Sequence, residues 1–588
     1  MTRIARQRAA PLALAAYLIL AFVLLSRTWL GDDLTHRLVG VGSDPLGSVW
    51  FLAWLPHALE HGHSPLFSTA LMAPQGANLL NSTATSLPSL LLWPFTAAVG
   101  PVVSYDLLAT LAIAVSAWSA YFAFGRLTTH RSSAWIGGLL YGFGGFISGQ
   151  ASAHVCLLIV VFPPLAAMLL DDVRRRSPMR AGLLLGLCAV AQVFIDEEVL
   201  ATTAIMAALA LVFVTWRARP PRAIVERYVR AFTTAAIVFA VLAGPALLYQ
   251  FFGPQHVSGV IVTSGRYVND LESFVVPNAA QLFSSAGSRQ MTGGFSGYNG
   301  EDGGYLGLAL IALLVLAGWR LRRRALPAGL LLLCAAVFSL GPHLRVGGHD
   351  TGVLLPWVIP NHLPLFENIV PDRFNLYIWL AAAALLVLLI DDLRSRPLRG
   401  SAALSVAVCA AALISVLPTL TPSEAVSAPS VAANAATFRQ ILPTAKTVLI
   451  TPAADGQFAM YAQVEADFAY KIPDGAVFVP TAQGPSYGMR HGPLLYALAA
   501  LAGTVSTKSG RTSTDRLCLA QLARGNQLDQ TCRSHYRHAL QALRVNAVIV
   551  SRVGSAIARR RYDWFFGALL GPAKATAGAS VFIVRPGS

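Results

Sequence analysis

Apolar residues run through the first 420 positions in blocks of the length that crosses a lipid bilayer, about 17 to 25 residues, separated by short charged or Pro/Gly-rich breaks. The pattern predicts a first helix from about Pro11 to Ser26 and further spans centred near residues 114, 141, 161, 188, 207, 241, 312, 334, 382 and 410, about eleven in all. Leu87 to Val99 is apolar but short and holds Pro88 and Pro94, so it reads as a re-entrant or interfacial stretch. Counting it as a span would place every later arginine cluster on the wrong side of the membrane. Past residue 420 the pattern changes. A Pro/Ser/Ala-rich linker over 420–436 leads into short β-rich strings at Thr447 to Ile450, Val545 to Val550 and Ser580 to Val584. The fold class expected is therefore an α-helical polytopic membrane protein, residues 1–419, with a C-terminal extracytoplasmic α/β domain over 437–588.

Composition agrees with the pattern. Of 588 residues 55% are hydrophobic and only 12% charged, where soluble domains carry about a quarter charged. The net charge of +16 also suits a nucleic-acid binder. Its distribution argues against nucleic acid as a partner, because the arginines gather in short connections between apolar blocks, where the positive-inside rule puts them. With Arg3, Arg6 and Arg8 ahead of the first helix and no small-x-small cleavage site behind it, that helix is expected to be retained in the cell membrane with its N-terminus cytoplasmic. Parity then places 27–102, 253–303, 342–372 and everything after about 420 outside. Of the six cysteines, Cys156, Cys188, Cys334 and Cys409 sit in apolar blocks as small hydrophobes. Cys518 and Cys532 lie in the C-terminal part, and an oxidising exterior would pair them as a disulfide. No CxxC pair or His/Cys cluster points to a structural zinc site.

The long outer connections are where loops on a rigid scaffold would carry chemistry. Asp44 precedes Pro45 at a helix start; its carboxylate either caps that helix or serves as a base for an acceptor hydroxyl. Trp50 and Trp54 follow at helical spacing, as an interfacial belt or a substrate platform. Asp196, Glu197 and Glu198 stand between two spans, either solvated in a short turn or bound to a metal or a phosphate-linked group. His154 is at the entry to a span, as a packing residue or a ligand. Arg373, in Pro371-Asp372-Arg373-Phe374, is an arginine on the outer side, suited to phosphate or else paired with Asp372 or Glu367. In the string from Tyr298 through Asn299, Gly300, Glu301, Asp302, Gly303 and Gly304 to Tyr305, the glycines permit a tight turn and the acids favour the following helix dipole; closing over substrate is the weaker alternative. Gly142, Gly144 and Gly145 read as close helix packing. No Walker-type or GxGxxG nucleotide signature is present.

One N-terminal span, a long outer loop with Asp44 near its start, many further spans and a C-terminal α/β part together resemble the GT-C superfamily of membrane glycosyltransferases. More narrowly, the chain is similar to bacterial YfhO-like and polyprenyl-phosphate-sugar-dependent mannosyltransferase-like members, through Gly303-Gly304-Tyr305-Leu306-Gly307, Pro371 to Phe374 and Arg544 to Val550. The resemblance implies transfer of a sugar from a polyprenyl-phosphate donor to an extracytoplasmic glycan, lipid or protein acceptor of the cell envelope, at the surface of the membrane lipid. It implies Asp44 as the base, Glu197 or Glu198 as an assisting acid, and Arg373 at the donor phosphate; the residues' own reading places His154 among the substrate- or phosphate-binding candidates. Asp44 is followed by Pro45 and Leu46 rather than a second acid, so no cofactor is assigned and dependence on a divalent metal stays open. A transporter or flippase, and a non-catalytic cell-envelope scaffold, are the competing readings. Against a transporter stand acids at the boundary rather than the midplane and no half-to-half repeat.

Overall fold

The computed structural model describes all residues except 1–2, 83–84, 263–264, 298, 302, 452–455, 483, 490–491, 504–511, 525–527, 553–554 and 586–588. Tyr298 and Asp302 of the Gly-rich string thus lie outside the described residues. The chain forms two compact units: residues 1–41, 103–245 and 262–424 make the first, and residues 42–102, 246–261 and 425–588 the second.

The first unit is helical. Pro101–Phe124, Val155–Arg175, Glu197–Arg217 and Pro371–Ser395 are each long and apolar enough to cross a membrane. A fifth candidate, Arg222–Leu242 continued by Gly244–Phe252, is broken. The other expected positions hold shorter helices: Ala9–Leu24, Arg131–Gly142, Pro178–Val193, Gly307–Leu321, Leu326–Ser339 and Ala402–Ser415. The break after Gly142 has a packing cause. A Cβ on Gly142 would stand 2.4 Å from Ala117 Cβ, and one on Gly144 would stand 2.5 Å from Trp379 Cε3, so neighbouring helices approach as only glycine allows.

Two of the long helices end on the same device. Asp171-Asp172-Val173-Arg174-Arg175-Arg176-Ser177-Pro178 and Asp391-Asp392-Leu393-Arg394-Ser395-Arg396-Pro397 share an Asp-Asp pair, basic residues and a terminating proline. In each, the second aspartate binds an arginine from the end of an earlier helix: Arg126 Nη1 to Asp172 Oδ1 at 2.8 Å, and Arg320 Nε to Asp392 Oδ2 at 2.7 Å. An ion pair of sequence-distant partners thus ties helix ends together where the apolar pattern stops.

The second unit is built on a four-stranded sheet. Ala547–Ser551 pairs in parallel with Val448–Thr451 and antiparallel with Ala579–Ile583, whose outer edge takes Lys574–Thr576. The strings read as β-rich are these strands. Alternation along them sends Val448, Ile450, Ala547, Ile549 and Val581 to one core and Leu449, Val548, Val550 and Phe582 to another. Burial on both faces explains why the strands read as continuous apolar runs. The first core is closed by the helices Asp44–Glu60 and Gln457–Glu465, the second by Pro493–Ala502, Ser513–Arg524, Gln530–Ala542 and Ala556–Leu570. Cys518 and Cys532 are disulfide-bonded and join two of these helices. Asp515 Oδ1 meets His535 Nε2 at 2.8 Å across the same pair.

Trp50 and Trp54 are neither a belt nor a platform. Their rings stack at 5.1 Å within the first core, and Trp50 Nε1 donates to Gln463 Oε1 at 2.7 Å. Helical spacing put both on the one face that packs against the sheet.

Candidate active site

The acids sit at helix starts for a local reason. Asp196 is the N-cap of Glu197–Ala218; its Oδ1 accepts from Val199 N at 2.9 Å, satisfying one orphan amide. That leaves Glu197 and Glu198 in the first turn, where the helix dipole favours negative charge. Glu197 is exposed, whereas Glu198 turns inward. One Glu198 oxygen accepts from Val370 N at 2.6 Å and the other binds Arg373 Nη1.

Arg373 stands in the one-turn stretch Pro371–Phe374 that leads into helix Asn375–Ser395. Its Nη2 donates to Glu301 Oε1 at 2.7 Å and its Nε faces Glu301 Oε2 at 3.4 Å. Among the described residues, Glu198 and Glu301 therefore take three of the five guanidinium N–H donors. Glu301 is buried, accepts from Gln150 Nε2 at 3.1 Å, and lies 3.6 Å from His154 Nδ1. His154 Nδ1 is 2.7 Å from Gln150 Oε1. Burial pushes the Glu301 carboxyl up, but the Arg373 guanidinium and His154 outweigh it and hold Glu301 below the ordinary glutamate range.

The first unit thus brings together His154, Asp196, Glu198 and Arg373 of the expected residues, and adds Gln150 and Glu301. The Arg373 partners are not Asp372 or Glu367 but acids 175 and 72 residues away. The sequence reads Glu301 as a dipole partner for the next helix, or as part of a loop that closes over substrate, and not as a partner of Arg373. Its one sequence signal was an acid inside a Gly-rich turn, and it is buried with Gln150 and Asp196.

Asp44 belongs to the second unit. It opens helix Asp44–Glu60 with Ser43 as N-cap and Pro45 behind it, and Ser43 makes no side-chain cap. The Asp44 carboxylate accepts from Gln457 Nε2 at 2.8 Å, and that same amide donates to Tyr487 Oη at 3.0 Å. Gln457 is buried at the start of its own helix, and no local pattern marks a contact 413 residues away. Among the described residues, no group of three or more His, Cys, Asp or Glu side chains is set to hold a metal ion.

No protein-family model matches the sequence, and no curated protein matches it. Solved structures do match in fold. An arabinofuranosyltransferase, AftD from Mycobacteria, superposes with a TM-score of 0.57 at 14% identity, over 99% of this chain and 40% of that one. An oligosaccharyltransferase from Archaeoglobus fulgidus superposes with a TM-score of 0.53 at 12% identity, over 95% of this chain and 70% of that one. This chain therefore spans less than half the length of the arabinofuranosyltransferase. Both neighbours are GT-C glycosyltransferases, and with its apolar helices the chain is a multi-pass membrane protein of that fold.

Proposed function

We infer, from the GT-C glycosyltransferase fold that this chain has, that it transfers a sugar from a polyprenyl-phosphate donor to an acceptor of the cell envelope on the outer face of the membrane. The observation that carries this reading is the match in fold over 99% of the chain. In the reaction, Asp44 takes the proton of an acceptor hydroxyl, and that oxygen attacks the anomeric carbon from the face opposite the phosphate. The anomeric carbon–phosphate oxygen bond breaks, the carrier phosphate leaves with the electron pair, and the configuration inverts.

The chemistry of Arg373 supports its place at the phosphate. Glu301 and Glu198 fix the plane of the guanidinium and leave two N–H donors for a further anion. A cation oriented before substrate arrives needs little reorganisation when charge develops on the leaving group. In this reading His154 adds a polar contact on the same side, and Glu197, exposed on the adjacent turn, serves the acceptor. No step is routed through a metal.

Purified protein in lipid, offered a set of radiolabelled polyprenyl-phosphate sugars, tests the reading. Wild type is expected to release carrier phosphate, and Asp44→Asn to release little. Equal release by both overturns the base assignment, and no release by wild type with any donor overturns the donor class. For orientation, Ser43→Cys in intact cells should react with a membrane-impermeant maleimide; protection until lysis overturns the outer placement.

A further inference from the structure

We propose that the first unit seats one anionic phospholipid where helix Ala9–Leu24 meets helices Pro101–Phe124 and Arg131–Gly142. Its phosphate lies on Arg131 and Arg394, and one acyl chain enters the cavity beside them. The site is separate from the cluster around Arg373. Arg373 and Arg394 stand at opposite ends of helix Pro371–Ser395, about 30 Å apart at 1.5 Å per residue.

Two hydrogen bonds hold the first helix against its neighbours: Trp118 Nε1 donates to the Ala10 carbonyl at 2.9 Å, and Tyr17 Oη to the Trp135 carbonyl at 2.7 Å. Around the first of these anchors the helix presents only Ala9 and Ala13 to Tyr121 and Trp135. These short side chains leave a cavity of about 310 Å³, the size of a small-ligand site. Leu12, 68% exposed, stands at its open side, and Ile19 and Val23 continue the same exposed stripe at intervals of seven and four residues. That stripe runs about 16 Å along the helix, so hydrocarbon leaving the cavity meets apolar surface all the way.

Polarity gathers at one rim. The Arg131 guanidinium lies 6.0 Å from the centroid of the buried Tyr121 ring, and Ser132 Oγ accepts from Arg394 Nη2 at 2.6 Å, which brings in a second guanidinium. The acid of this helix end does not neutralise them: Asp391 Oδ1 accepts from Ser133 Oγ at 2.8 Å and faces His130 Nδ1 at 3.3 Å. Among the described residues neither Arg131 nor Arg394 stands in an ion pair. The sequence just ahead of Ala9 adds Arg3, Arg6 and Arg8 to the same end. Two guanidinium forks beside an apolar cavity match a ligand with a phosphate at one end and hydrocarbon at the other. A soluble phosphate would leave the cavity unfilled, and a zwitterionic headgroup would set its own cation against the arginines.

The experiment uses full-length protein, delipidated in a mild non-ionic detergent and titrated with phosphatidylglycerol or with phosphatidylcholine of the same chains. Native mass spectrometry counts the lipids that stay bound. Wild type is expected to hold one phosphatidylglycerol about 10- to 30-fold more tightly than phosphatidylcholine. Arg131→Gln and Arg394→Gln should each reduce that preference about fivefold, and the double variant should abolish it. Ala13→Leu, which fills the cavity and leaves the charges in place, should weaken retention of phosphatidylglycerol itself. Should a variant at the half-buried Arg131 or the buried Ala13 not fold, Arg394→Gln, at an exposed helix end, still reads the preference. Equal retention of the two lipids by wild type overturns the proposal, as does an unchanged preference in Arg394→Gln. Displacement of the lipid by millimolar inorganic phosphate would make this a free-anion site, and displacement by equimolar polyprenyl phosphate a site for the carrier; either result also overturns it.

Discussion

The helix that starts at Asp44 and the helix that starts at Glu197 each place acids in the first turn and surround them differently. Both gain the same modest dipole stabilisation there, about 0.3–1 kcal/mol. Glu198 then meets the half-buried guanidinium of Arg373, which a second acid, Glu301, grips from its other side. Asp44 meets the neutral amide of Gln457. The difference teaches what each acid is suited for. A carboxylate bound by a guanidinium anchors charge and geometry, while the Asp44 carboxylate, with a neutral amide among its partners, is the one proposed to take a substrate proton. The roles proposed above follow that division, and substitutions on the two helix starts are expected to separate activity from stability.

The largest effect is expected at the first of them. Asp44→Asn keeps shape and hydrogen-bonding capacity but removes the base, so turnover should fall by about 10²- to 10⁴-fold. The thermal midpoint of the reconstituted protein should change little. A variant that retains half of wild-type turnover, or that melts many degrees lower, would make Asp44 a structural acid like Glu198 and erase the contrast. Arg373→Met comes next. It strands Glu198 and Glu301 in a nearly dry site without their cation, at an expected cost of about 3–5 kcal/mol. Chemical or thermal unfolding in lipid measures it. Loss of turnover with an unchanged unfolding midpoint would instead give Arg373 a purely functional role and deny the anchor.

How much of this was legible beforehand divides along the same line. The apolar pattern placed a helix at or next to every expected span, and the β-rich strings at 447–450, 545–550 and 580–584 became three strands, because burial is written locally at each position. Asp44 at a helix start and the acids at 196–198 were visible as residues, since an acid before an apolar helix is a local signal. Their partners were not. Gln457, Glu301 and the Val370 amide are joined to them only by tertiary packing, and no periodicity reports a contact across 175 or 413 residues. The tryptophans failed for a related reason: Trp50 and Trp54 carry one helical pattern whether the apolar face they share meets lipid or a sheet. At the two Asp-Asp helix ends only the arginine clusters were readable, as topology; the pairing of Asp172 and Asp392 with Arg126 and Arg320 needed the fold.

Acid offers a smaller test on the first unit. Glu301 titrates below its ordinary value of about 4.5 in the folded protein because Arg373 and His154 outweigh its burial. The unfolded chain therefore binds a proton first as pH falls. The stability this carboxylate contributes is full above about pH 4.5 and is lost as pH drops through the depressed folded value. Wild-type melts taken downward from pH 5 should show a progressive fall that Glu301→Gln, already destabilised, shows less of. An identical slope in both proteins would mean that the pair with Arg373 contributes nothing to the folded state.

The smallest effect, and the sharpest for the comparison, is expected at Gln457. Its Nε2 donates to Asp44 and to Tyr487, so Gln457→Leu removes one hydrogen bond to the base and keeps the helix start that carries it. A single hydrogen bond to a charged group is worth about 1.5–3 kcal/mol, an upper bound here because water can reach the half-buried Asp44 and replace the lost donor. The expected loss in kcat/KM is about tenfold, with kcat carrying most of it if the amide aims the carboxylate, and with KM nearly unchanged. Removing a donor that favours the charged form also moves the acid limb of the pH–rate profile to higher pH. A merely structural contact would lower the amount of folded protein and leave that limb where it was. Glu198, already committed to its guanidinium, has no counterpart to this shift: Glu198→Gln should cost stability and leave the acid limb in place.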